Sequence, residues 1–89
     1  MKPVKVPITD ILDLHAFNPR ELPDLLDDYL TACTEAEIYS VRLIHGKGMG
    51  ILRERVLGIL KQHPLVQSHK PAPPDAGGWG AVLVELKRL

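Results

Sequence analysis

The sequence predicts a two-layer α/β sandwich in the order βαβαββ, a four-stranded mixed sheet with two helices on one face. Three observations carry that prediction: short apolar segments of strand length, two longer segments whose apolar residues recur at three-and-four spacing, and glycine- or proline-rich connections between them. At 89 residues the chain holds one domain, because a core this small cannot be divided and still outweigh the conformational entropy of folding. Residues 1–7, with two prolines, two lysines and little periodicity, read as an extended lead-in, and residues 8–89 as the single domain.

Residues 11–15, Ile-Leu-Asp-Leu-His, alternate apolar with polar and predict the first strand, with Asp13 and His15 on one face. Asn18, Pro19 and Glu21 then give a helix start: a capping side chain, proline at the first position, and a carboxylate three residues after the cap. Leu22, Leu25, Leu26, Tyr29, Leu30 and Cys33 form one apolar stripe, while Asp24, Asp27 and Asp28 line the outer side. Residues 40–44 predict a second strand, and the glycine-rich turn 45–50 leads from it into a second helix. That helix turns Leu52, Val56, Ile59 and Leu60 inward, presents Arg53, Arg55 and Lys61 outward, and ends near His63 because Pro64 disfavours helix before it. Residues 65–70 and 81–87 predict the last two strands, antiparallel and joined by a proline-then-glycine connection. A strand–helix–strand unit places the first two strands parallel through a right-handed crossover.

An apolar fraction of 45% and a charged fraction of 25% belong to a folded globular chain, which excludes disordered and fibrous classes. No apolar run approaches the roughly 20 residues of a membrane span, and the first residues lack the apolar stretch of a signal peptide, so a cytoplasmic, membrane-free protein is expected. The lone Cys33 lies on the apolar stripe and is expected to pack in the core. The formal net charge is zero, which argues against a binder that neutralises many phosphates, but the distribution is two-sided. Between positions 42 and 70 stand Arg42, Lys47, Arg53, Arg55, Lys61 and Lys70 against Glu54, whereas positions 21 to 37 hold acids and no Lys or Arg.

Parallel strands share a carboxyl edge, where ligands of such sheets bind, so His15 and His45 are expected close together there. Asp13 can orient His15 and stabilise its protonated form for general acid–base work; equally, it can bond loop amides while His15 merely ends the strand. The loop of Gly46, Lys47, Gly48, Met49 and Gly50 can converge N–H groups on an anion at a helix N-terminus, helped by Lys47 and Arg53, or can simply be a tight turn. It is neither a nucleotide P-loop nor a dinucleotide fingerprint, so no nucleotide cofactor is expected. Trp79, between Gly78 and Gly80, either stacks on a base or packs on the sheet edge. His63 and His69 lack the close partners of a zinc site and read as structural or surface residues; no metal site is expected, and divalent-metal dependence is left open.

Taken together, Leu12-Asp13-Leu14-His15, then His45-Gly46-Lys47-Gly48-Met49-Gly50 with Leu52-Arg53, then Gly77-Gly78-Trp79-Gly80-Ala81, resemble the Smr (small MutS-related) domain along almost the whole chain. The family occurs at the C-terminus of the recombination-suppressing MutS paralogue and as small stand-alone proteins, and this chain resembles the stand-alone kind. The resemblance implies a fold like the C-terminal domain of bacterial translation initiation factor three, and nucleic-acid binding with nicking or endonuclease activity in several members. By position, the family's LDxH motif falls on residues 12–15 and its HGxG motif on 45–48, with Arg53 in the following helix. Two positions depart from the common pattern: Ala16 where glycine is frequent, and Met49 in place of a hydroxyl residue, which removes one phosphate hydrogen bond.

The expected function is therefore binding of DNA or RNA backbone, branched or structured substrates included, with endonucleolytic cleavage. Asp13, His15 and His45 are the expected catalytic residues, and Gly46, Lys47, Gly48, Gly50, Arg53 and Trp79 the binding residues. The alternatives are a non-catalytic nucleic-acid or ribosome-binding module using the same surface, and a protein adaptor working through the acidic first helix.

Overall fold

Six elements follow one another in a computed structural model that describes residues 8–14, 17–48, 50–76 and 78–88. They are β1 (Ile11–Asp13), α1 (Leu22–Glu35), β2 (Ser40–Ile44), α2 (Ile51–Gln62), β3 (Val66–Pro71) and β4 (Ala81–Leu86), with 3-10 turns at Pro19–Glu21, Pro74–Ala76 and Gly78–Gly80. The lead-in expected over residues 1–7 lies outside the described residues, as do His15 and Met49.

The sheet order is β1-β2-β4-β3. β1 and β2 run parallel, joined through α1, and β4 runs antiparallel to both of its neighbours. The register aligns Leu12 with Leu43 and Leu43 with Val82, and aligns Val41 with Val84. Side chains alternate across a strand, so these residues share one face. There they form the core with Leu22, Leu26, Tyr29, Leu30 and Cys33 of α1 and with Val56 and Leu60 of α2. The opposite face carries Arg42 between Ile11 and Leu83, and Ser40 beside Glu85, whose carboxylate accepts the Ser40 hydroxyl at 2.9 Å. A sheet with antiparallel pairs can leave one face without helices, and among the described residues no helix covers this one.

The first helix departs from expectation at its start. Asn18 caps as expected, its side chain accepting the Arg20 N–H at 2.9 Å, but the first turn is 3-10 and the α-helix begins at Leu22. An α-helix beginning at Pro19 would need the residue at 23 to donate to the Pro19 carbonyl, and Pro23 has no N–H. The Leu22 N–H bonds that carbonyl instead, which tightens the turn. The far end closes with Ile38 N–H on Cys33 O at 2.8 Å and Glu37 N–H on Thr34 O at 3.1 Å. This closure holds Glu37 at φ 60°, a left-handed conformation normally given to glycine.

Two side-chain contacts fix α1 to the rest. The Tyr29 hydroxyl donates to Thr9 O at 2.6 Å, tying α1 to the segment that enters β1. Burial, with the Tyr29–Cys33 contact adding to it, pushes the Tyr29 hydroxyl well above its ordinary value, and burial likewise raises the Cys33 thiol, so both stay neutral in the core. Two residues before Tyr29 on α1, Asp27 Oδ1 lies 3.0 Å from His63 Nε2, and His63 Nδ1 accepts the Leu65 N–H at 3.1 Å. With Nδ1 accepting, the ring proton sits on Nε2 and donates to Asp27, linking α1 to the end of α2.

Leu43 is fully buried at the centre of the core face, so Leu43→Ala is expected to lower the unfolding free energy by about 2–5 kcal/mol in urea titrations. Glu37→Gly is expected to raise it by about 0.5–1 kcal/mol, because relief of the left-handed penalty exceeds the added entropy of the unfolded chain. An unchanged midpoint for Glu37→Gly would mean that the loop relaxes the strain without help.

Candidate nucleic-acid interface

At the carboxyl end of β2 the chain turns away from the sheet through residues 45–50. The His45 and Gly46 N–H groups both donate to the Gly80 carbonyl, each at 2.9 Å, so this loop is pinned to the turn that enters β4. The approach is close: a Cβ on Gly80 would stand 3.1 Å from Lys47 Cγ and 3.5 Å from the Gly46 carbonyl carbon. Glycine at 80 leaves the Lys47 side chain room to pack over the turn.

His45 is 4% exposed, and its Nδ1 lies 2.9 Å from Gly46 O. A carbonyl only accepts, so Nδ1 carries the proton and, in the neutral ring, Nε2 keeps the lone pair. The contact fixes both the tautomer and the ring orientation of a buried imidazole.

α2 starts without a side-chain cap. Gly50 occupies the N-cap at φ 86°, and the first helical bond runs from Glu54 N–H to Gly50 O at 2.9 Å. The N–H groups of Ile51, Leu52 and Arg53 therefore precede the helical ladder and carry the positive end of the helix dipole. They border a cleft of about 540 Å³ whose walls include Phe17, Pro19, His45, Lys47, Gly48 and Arg53. Lys47 and Gly48 are exposed on its rim.

Arg53 was expected to point outward; it is half-buried, with its guanidinium carbon 4.6 Å from the centroid of the Trp79 ring. Trp79 is 61% exposed, so one face of its indole carries the cation while much of the ring meets solvent. The exposed Glu54 carboxylate reaches Arg53 only at 3.9 Å, too long and too solvated to neutralise it.

The structure thus gathers His45, Gly46, Lys47, Gly48, Gly50, Arg53 and Trp79 at one end of the sheet. Asp13 is exposed and in register with Ile44, on the face away from the helices, whereas His45, the next residue after Ile44, is buried toward α2. His15 lies outside the described residues. The Gly46 N–H, expected to face an anion, is engaged by Gly80 O, which leaves that task to the first turn of α2.

Two wall residues gave no sequence signal. Phe17 and Pro19 come from the 3-10 entry to α1, whose path depends on Pro23 as described above. His69, assigned from the sequence to a structural or surface role, lines a smaller cavity with His45 and Arg53; only the strand register reveals its side. Among the described residues, no group of three or more His, Cys, Asp or Glu side chains gathers to hold a metal, and no helix is long and apolar enough to cross a membrane.

Trp79 is the chain's single tryptophan, so its fluorescence reports the stack directly. Arg53→Ala is expected to shift Trp79 emission to longer wavelength with the circular dichroism unchanged. An identical spectrum would show that the guanidinium does not cover the ring in solution.

Comparison with known proteins identifies the family and the fold. The Smr domain family model matches residues 12–87. Endonuclease MutS2 of Thermomicrobium roseum is 40% identical over 76 residues, which is 85% of this chain and 10% of that protein. Ribosome rescue factor SmrB of Aeromonas hydrophila is 40% identical over 75 residues, 84% of this chain and 43% of that protein. The chain therefore spans less than half the length of either relative. Among solved structures, the Smr domain of Thermus thermophilus MutS2 superposes with a TM-score of 0.82 at 32% identity, covering 89% of this chain and 99% of that one. YdaL, a stand-alone small MutS-related protein from Escherichia coli, also gives 0.82, at 28% identity, covering 93% of this chain and 68% of that one. With the family model spanning residues 12–87 and two solved Smr structures superposing on most of its length, the chain belongs to the Smr domain family.

Proposed function

We propose that this Smr domain binds the phosphate backbone of DNA or RNA in the cleft at the start of α2 and cleaves a phosphodiester bond there. The observation that carries the proposal is the juxtaposition of an uncapped helix N-terminus, Lys47, Arg53 and a buried His45 of fixed tautomer around one cleft. The first-turn amides and the two cations give a phosphate both hydrogen bonds and positive potential. A Cβ at Gly48 would meet nothing within 4 Å, so the fold does not require glycine there; its absence of a side chain opens the rim to an approaching backbone. Trp79 adds an exposed ring for a base.

Cleavage needs one group to take the proton of the attacking oxygen and another to give a proton to the leaving oxygen. His45 Nε2 serves as one of the two, and the α2 amides with Lys47 and Arg53 stabilise the charge that builds on the phosphoryl oxygens. His15, oriented by Asp13, is the proposed second group. We place this activity in the cytoplasm, with no nucleotide cofactor.

The non-catalytic alternative uses the same cleft for affinity alone. A recognition module for structured RNA or for ribosomes would need the seat alone.

The test is cleavage of supercoiled plasmid and of labelled structured RNA, with and without divalent metal, alongside binding titrations at several salt concentrations. Lys47→Ala is expected to weaken binding and reduce the salt slope by about one. His45→Asn keeps a donor for Gly46 O and removes Nε2; it and His15→Ala are expected to lose about a hundredfold or more in cleavage while binding holds. Undiminished cutting by both histidine variants would sink the catalytic assignment, and wild-type binding without cutting would establish the recognition module.

A further inference from the structure

We propose that His69, with Arg53 and His45, forms a second phosphoryl-binding pocket beside the α2 cleft. The inference rests on the nucleic-acid reading above and adds a subsite to it.

His69 pairs with Val84, which pairs in turn with Val41, and both valines belong to the helix-covered face. Alternation therefore sends His69 toward α2, while its neighbours Ser68 and Lys70 pair with Glu85 and Leu83 on the open face. A histidine that reads as an ordinary strand residue is thereby brought to the far side of His45 and Arg53.

There it lines a cavity of about 170 Å³ whose other walls are His45, Arg53, Leu57, Pro71, Ala81 and Val82. The ionisable groups in that wall are two imidazoles and a guanidinium, and no carboxylate is among them. The guanidinium brings a fixed positive charge to a partly apolar cavity and the two imidazoles add ring nitrogens, so the lining favours an anion. The planar fork of arginine suits phosphate in particular. The cavity is smaller than the ~300–1,000 Å³ that engulfs a whole small molecule, so it fits one group of a larger ligand.

His45 and Arg53 line this cavity and the α2 cleft alike. A strand seated on the first turn of α2 therefore presents its next group to the pocket across a shared wall. That group is a phosphoryl: either the internal phosphate of a continuous strand or the terminal phosphate of an end.

The pocket is tested by following the histidine ring signals by NMR during titration with inorganic phosphate, His69 being assigned from the signal lost in His69→Gln. Oligonucleotides ending in hydroxyl, 5′-phosphate or 3′-phosphate are then bound to wild-type, His69→Ala and Lys47→Ala proteins whose thermal melts confirm folding. Saturable movement of the His69 signal is expected, with binding about tenfold weaker in His69→Ala, as for loss of one charge-assisted hydrogen bond. A loss confined to phosphorylated ends identifies a terminal phosphate; a loss shared by all three identifies an internal one. If His69 does not respond to phosphate and His69→Ala binds as wild type while Lys47→Ala is weakened, the second pocket falls and the nucleic-acid reading stands. If no oligonucleotide binds yet phosphate moves His69, the pocket stands as a phosphate site and the nucleic-acid reading falls.

Discussion

The Gly80 carbonyl oxygen accepts the N–H groups of both His45 and Gly46, and nearly everything at the carboxyl edge depends on that shared acceptor. It joins the exit of β2 to the entry of β4, the two central strands. Because Gly80 carries no Cβ, Lys47 can pack directly over it. The same bond holds His45 where its Nδ1 reaches Gly46 O, and holds the following loop where Gly50 can open α2. Trp79, one residue before that carbonyl, is carried into range of Arg53. A Cβ at position 80 would press on Lys47 Cγ, which would have to give by a few tenths of an ångström.

Around this latch the sheet divides its labour. The helix-covered face supplies a core of leucine and valine from four strands and two helices, and its rim supplies His45 and His69. The open face carries Arg42, whose Nε is buried without a hydrogen-bond partner among the described residues, flanked by Ile11 and Leu83. The candidate site lies where the strands end, because there backbone amides are released from the ladder and can turn to other partners.

Much of this organisation was legible in the sequence. The leucine stripe of α1, the alternation in β2 and the stop at Pro64 follow from spacing and from proline's missing donor, which act locally. The glycine loop and its basic neighbours stand at the carboxyl edge of the sheet, where their place between β2 and α2 puts them. What stayed hidden was long-range. That Gly80 would take the Gly46 N–H, that β4 would lie between β2 and β3, and that His69 would share a cavity with His45 all depend on pairings between segments far apart in the chain. The 3-10 entry to α1 was readable in principle from Pro19 and Pro23 taken four residues apart, a conflict that a check of each proline alone does not expose.

The placement of β4 has a consequence for how the domain is made. The last strand in the sequence occupies the interior of the sheet, hydrogen-bonded on both sides, so β2 and β3 have no direct contact through which to pair before it arrives. On a ribosome, synthesis of β1, α1, β2 and α2 leaves an apolar surface waiting for a strand still in the exit tunnel. Gly80 stands at the threshold of that strand, so the loop carrying His45 acquires its anchor only once β4 has been made. A nascent domain therefore lacks its anchored His45 loop until β4 closes the sheet.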